Sequence, residues 1–201
     1  MIRLLIADDQ DLIRGAFAAL LELQPDFEVV ATVARGDEIV DAVREHNPDV
    51  ALLDIEMDGI DGLTAAAVLK EQAPECRALM LTTFGRPGYL TRAMQAGARG
   101  FVVKDAPPEQ LADAIRRVAA GELVVDPTLA AETLAHGQSP LTPRERDVLL
   151  TARPGQTVAE IAAALFLSEG TVRNYLSSAI GKLGARNRAE AIQTAEARGW
   201  L

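Results

Sequence analysis

The sequence predicts an α/β domain, a (βα)5 doubly wound parallel sheet, followed by an all-α domain of four helices. Three observations predict it. Five short apolar runs alternate with five amphipathic segments over the first 120 residues. Four of those runs end on a polar or charged group. After residue 139 the periodicity is helical throughout, and each stretch opens on a capping signal.

The strand-like runs lie near 2–7, 27–33, 49–54, 78–83 and 100–103. They read as continuous Val/Ile/Leu blocks, which is what strands buried on both faces by covering helices require. Amphipathic segments near 10–23, 36–46, 62–72, 87–96 and 107–120 supply those helices. Gly97 and Gly100 flank the turn into the last strand, and Pro107-Pro108 give the final helix a rigid start where a missing N–H costs little. The strand order expected for such a sheet is 2-1-3-4-5, the flavodoxin-like arrangement. Residues 1–120 therefore form one domain and 139–201 another. Between them, 121–138 reads as a linker with little periodicity beyond a short helix around 127–135.

In the second domain, Thr142-Pro143-Arg144-Glu145 is a capping box with proline at the first helical position. Thr157 to Glu160 and Asn187 to Glu190 repeat that start signal, and Ser168 caps a further helix. The segments 157–165 and 168–183, joined by Phe166-Leu167, have the length of a helix-turn-helix.

Composition sets the outer bounds. The 201 residues suit two domains, and 49% hydrophobic with 24% charged residues is ordinary for a globular chain. The single cysteine, Cys76, cannot close an internal disulfide, and the apolar start before Asp8 is too short for a signal peptide or a membrane span, which points to the cytoplasm. Charge is uneven. Residues 1–126 hold 12 Lys and Arg against 22 Asp and Glu, whereas 139–201 hold 8 against 6. An acidic module is thus joined to a mildly basic one.

The strand ends carry the chemistry. Leu4-Leu5-Ile6-Ala7 ends on Asp8-Asp9, Val50-Ala51-Leu52-Leu53 on Asp54, Leu79-Met80-Leu81 on Thr82, and Phe101-Val102-Val103 on Lys104. Parallel strands bring these groups to one crevice beyond their carboxyl ends, where open α/β sheets bind ligands. Three carboxylates, a hydroxyl and an ammonium suit metal-assisted phosphoryl transfer. Asp8 or Asp9 alone would serve equally as a helix cap, and Thr82 or Lys104 alone as an ordinary surface group. Their conjunction at four strand ends argues for the site.

On the 168–183 helix, Val172, Leu176, Ala179, Ile180 and Leu183 form an apolar stripe and leave Arg173, Asn174 and Ser177 on the opposite side. Arginine and asparagine can bind guanine and adenine edges in a major groove. Thr171 and Tyr175 flank that face, and Lys182, Arg186 and Arg188 lie beyond it as candidates for phosphate contacts.

The stretches 141–149, 158–162 and 167–177 (LTPRERDVL, VAEIA and LSEGTVRNYLS) resemble the LuxR-type DNA-binding domain, and the first 120 residues resemble a phosphoacceptor receiver domain. Together they resemble a NarL/FixJ-family response regulator over nearly the whole chain. That resemblance implies Asp54 as phosphoacceptor, and Asp8, Asp9 and the backbone carbonyl of Glu56 as holders of Mg²⁺ together with Asp54. It further implies Thr82 as the sensor of the phosphoryl group, Lys104 as its ion-pair partner and Phe101 as the switching aromatic. The partners it implies are a sensor histidine kinase, double-stranded DNA and a second copy of the chain once phosphorylated, with RNA polymerase a further candidate and no membrane. Within the family, the stretch 81–90 and the Gly199-Trp200 ending resemble regulators of membrane-lipid desaturation. Where the family usually has proline after the methionine of the acceptor loop, this chain has Met57-Asp58-Gly59, which frees φ at the turn.

Two other readings stand beside this one. A haloacid-dehalogenase-type phosphatase uses an Asp, an acid two positions on, a Thr and a Lys, but its nucleophile follows the first strand and its metal acids come late. A regulator that has kept the fold and lost its dependence on phosphate would bind DNA regardless of a phosphodonor or Mg²⁺. The chain is read as an acceptor of phosphate rather than a turnover enzyme.

Overall fold

A computed structural model describes residues 1–83, 87–136, 139–153 and 155–201. The chain divides into two compact units, one built mainly from residues up to 131 and the other from residue 132 onward. Part of the 81–90 stretch (residues 84–86) and residues 137 and 138 of the expected linker lie outside the described residues.

In the first unit the elements are β1 (Ile2–Ala7), α1 (Asp11–Glu22), β2 (Phe27–Val33), α2 (Ile39–His46), β3 (Val50–Asp54), α3 (Gly62–Gln72), β4 (Arg77–Thr82), α4 (Pro87–Ala96), β5 (Gly100–Val103), α5 (Pro108–Ala119) and β6 (Val124–Val125). All strand pairings are parallel, in the order β2-β1-β3-β4-β5-β6. The first five follow the expected order, and β6 is an addition. Val124 and Val125 pair with Gly100 and Phe101, so the chain just after 120 extends the sheet where the sequence reads as linker. A two-residue strand is too short to show alternation, and only its register with β5 reveals it.

The central strands are buried end to end, and residues 50–54 are all buried. Leu4, Ile6, Leu52, Leu79, Leu81 and Val102 form one core layer with Leu111 and Ile115 of α5 and Leu21 of α1. Successive side chains alternate across a sheet, so Leu5, Leu53, Met80 and Phe101, all fully buried, fill the opposite layer. A sheet packed this way fixes the strand ends rigidly. Gly97, at φ +95°, makes the turn ahead of β5, where an L side chain would be strained.

Following α6 (Pro127–His136), the second unit contains α7 (Pro143–Ala152), α8 (Val158–Ala164), α9 (Glu169–Leu183) and α10 (Arg188–Ala197). The Thr142 and Thr157 boxes are complete. At α10, Asn187 caps the Glu190 N–H, but the Glu190 carboxylate accepts from the Arg186 N–H instead, so that box closes on one side only. At seven residues α8 is shorter than its pattern suggests. Val148, Leu149, Ile161, Val172, Leu176, Ala179 and Trp200 build one small core.

Candidate functional site

The crevice is assembled by the carboxyl ends of β1, β3, β4 and β5. Asp54 is the last residue of β3 and pairs in register with Leu81, one residue before Thr82. The Lys104 N–H donates to the Thr82 carbonyl at 2.8 Å, tying the end of β5 to that of β4. Asp8, Asp54 and Thr82 are buried, and Asp9 is exposed.

The carboxylates converge. Lys104 Nζ lies 2.7 Å from Asp8 Oδ2 and 2.8 Å from Asp54 Oδ2. Both contacts are close, buried ion pairs. The other oxygen of each acid is used locally, with Asp8 Oδ1 accepting from the Gln10 N–H at 3.0 Å and Asp54 Oδ1 from the Ile55 N–H at 2.8 Å. Burial pushes the Asp54 carboxyl above its ordinary pKa, against the pull of the ammonium. Burial also opposes the charge on Lys104, but its two carboxylates outweigh that and raise its pKa. One ammonium is therefore shared by two buried acids, with a third beside them.

Ligand oxygens of Asp8, Asp9 and Asp54 all lie within 4.8 Å of one another. Three hard oxygen donors with only one neutralising cation fit a divalent ion such as Mg²⁺, which takes one or two carboxylates and keeps several waters. The Glu56 side chain is exposed, two residues beyond the acceptor position. Phe101 is fully buried and pairs in register with Met80.

Three residues that support the site are not singled out by the sequence pattern. Arg14 donates to the Asp8 carbonyl at 2.6 Å and holds the β1–α1 turn. Gly62 starts α3 so close beneath Asp54 that a Cβ would come 1.9 Å from the Asp54 carbonyl oxygen, and its N–H closes the loop onto the Ile55 carbonyl at 3.0 Å. Gly36 donates to the Asp58 carbonyl at 3.0 Å, and a Cβ there would meet the Ile60 carbonyl. A glycine at the first position of a helix that already has an Asp cap was the available signal for Gly62.

On α9, Arg173, Asn174 and Ser177 are exposed together while Val172, Leu176 and Ala179 are buried. The Ser168 hydroxyl caps the helix by accepting from the Thr171 N–H at 3.1 Å. Thr171 and Tyr175 are partly buried at the edges of that face. Arg173 pairs with Glu169 at 2.6 Å, an exposed bond of little strength. Lys182 donates to Glu145 at 2.7 Å, Arg188 to the Gln156 carbonyl at 2.6 Å, and Arg186 pairs with Glu190 at 3.0 Å. Lys182 and Arg188 thus also tie distant segments of the domain together.

Residues 4–116 match the response regulator receiver domain, and residues 139–195 match the bacterial regulatory proteins of the luxR family. The chain belongs to the response regulators with a LuxR-type DNA-binding domain. The regulator is 45% identical over 201 residues to the transcriptional regulatory protein DesR of Bacillus subtilis (strain 168), covering 100% of both chains. The uncharacterized transcriptional regulatory protein YvfU of the same strain is 43% identical with the same coverage, so the likeness is to the family rather than to one pathway. Among solved structures, the response regulator ChrA of a heme-sensing two-component system is 32% identical, with a TM-score of 0.60, covering 100% of this chain and 98% of that one. The response regulator RcsB in complex with DNA is 25% identical, with a TM-score of 0.67 and 98% coverage of both chains. These relatives are transcriptional regulators, not enzymes. Among the described residues no helix is long and apolar enough to cross a membrane.

Proposed function

We propose that Asp54 accepts a phosphoryl group from a partner histidine kinase, and that this modification pairs two copies of the regulator on DNA and so controls transcription. The observation that carries the reading is the shared ammonium: Lys104 lies within 2.8 Å of both Asp8 and Asp54. Asp54 Oδ2 attacks phosphorus as the bond from phosphorus to the donor breaks. Asp8, Asp9, Asp54 and the Glu56 carbonyl would hold Mg²⁺, which would supply charge neutralisation at the acceptor. Lys104 then has a phosphoryl oxygen as its partner in place of the Asp54 carboxylate, and the Thr82 hydroxyl donates to another. Phe101 repacks within the sheet layer as those strand ends draw together.

To move a 1:99 equilibrium to 99:1 requires about 5.5 kcal/mol in favour of the active state. Charge-assisted hydrogen bonds of roughly 1.5–3 kcal/mol each supply it. Pairing then raises the effective concentration of the second DNA-binding domain at its half-site. Arg173, Asn174 and Ser177 read base edges, and Thr171, Tyr175, Lys182, Arg186 and Arg188 hold phosphates. The test is Asp54→Asn treated with acetyl phosphate and Mg²⁺. The variant is expected to take up no acid-stable, base-labile phosphate, and continued uptake overturns the assignment.

A further inference from the structure

The first unit carries an excess of acid, and most of its described bases are paired. Among its described lysines and arginines, Arg3, Arg14, Arg35, Arg44, Arg92, Lys104, Arg116 and Arg117 each hold a carboxylate within 4.0 Å. Lys70, Arg77 and Arg99 are the described cations of this unit that do not. All three line the same cleft, a cavity of about 550 Å³ between α3, α4 and the starts of β4 and β5.

Where carboxylates outnumber bases nearly two to one, ion pairing is the ordinary fate of a cation. Three unpaired cations around one concavity therefore set that surface apart. Asp49 and Glu75 act on the buried Cys76 thiol in the cleft wall but pair with none of the three. Between the cations the wall is apolar, formed by Leu69, Met94 and Ala98. The volume lies in the range of small-molecule sites, and guanidinium forks match phosphate oxygens. The cleft opens at the amino ends of the strands. Arg77 begins β4 and Thr82 ends it, and five steps at about 3.3 Å put roughly 17 Å between this site and the phosphoacceptor crevice.

We propose that this cleft binds a small organic polyphosphate, an apolar body carrying two or more negative charges, at a site separate from Asp54. Lys70, Arg77 and Arg99 take the phosphates while Leu69, Met94 and Ala98 take the body. The test is titration of the full-length, isotope-labelled protein with ATP in the presence of EDTA, which keeps divalent ions out of the acceptor crevice. Saturable shifts are expected at the amides of Leu69, Ala78, Met94 and Ala98. The double variant Arg77→Gln/Arg99→Gln is expected to weaken binding at least about tenfold, and the exposed Lys70→Gln about threefold, as removing charge-assisted contacts predicts. All variants should still be phosphorylated by acetyl phosphate with Mg²⁺, which reports folding; if the double variant fails that check, Lys70→Gln alone decides. Absence of saturable shifts, or affinity unchanged in the folded variants, overturns the proposal. So does inorganic tripolyphosphate binding as tightly as ATP without moving Leu69, Met94 and Ala98.

Discussion

The two units each bury carboxylate, and they treat it in opposite ways. In the second unit Glu145 is 3% exposed and both its oxygens are bonded: it accepts from the Thr142 N–H at 2.7 Å, the Ser178 hydroxyl at 2.6 Å and Lys182 at 2.7 Å. Although burial opposes its charge, those donors pull its pKa down to about 2. In the first unit Asp8 and Asp54 share one ammonium beside a third acid, and burial leaves Asp54 above its ordinary pKa. A fully satisfied acid is a fastening between α7 and α9. An under-neutralised group of acids is a receptor for added positive charge or for a ligand that reorganises it.

The contrast is broken most severely by removing the shared ammonium. Lys104→Met should cost the first unit about 3–5 kcal/mol in urea unfolding without divalent ions, because two buried acids lose their cation. Millimolar Mg²⁺ should recover part of that loss, whereas the second unit should not respond. Next in size, Glu145→Gln should cost the second unit about 3 kcal/mol at pH 7. Because the folded pKa is depressed, that stabilisation is complete above the unfolded value of 4.5 and disappears as pH falls from there towards about 2. An acid titration should therefore show the difference between wild type and Glu145→Gln closing over that window. Gly62→Ala should destabilise the first unit by about 1–3 kcal/mol, since its Cβ would meet the Asp54 carbonyl and the helix start would have to shift. The smallest effect has the opposite sign. Asp9→Asn should stabilise the metal-free first unit by up to about 1 kcal/mol by relieving repulsion at an exposed position, while weakening its stabilisation by Mg²⁺.

What the sequence shows and what it hides divide along the same line. Strand-end acids were legible because a buried apolar run that stops on aspartate is a local pattern, and parallel topology then brings Asp8, Asp54, Thr82 and Lys104 to one edge. The helix starts were equally local, since Thr142 and Glu145 sit three residues apart. The second role of Glu145 was not legible. Its partners Ser178 and Lys182 lie 33 and 37 residues further on, and only the packing of α9 on α7 brings them near. Gly62 was hidden for a related reason, because its constraint is a close approach to another segment rather than a turn conformation. β6 escaped because two residues carry no period, and its identity comes from the neighbour it pairs with.

In the proposed function the signal enters at the acid group of the first unit. The most direct test is the affinity of the full-length protein for its operator, selected from genomic fragments, measured with Mg²⁺ with and without acetyl phosphate, in wild type and Asp54→Asn. The expected result is a gain of at least about tenfold for wild type and none for the variant, consistent with avidity between paired half-sites. An equal gain in Asp54→Asn, or wild-type affinity indifferent to the phosphodonor, would contradict it.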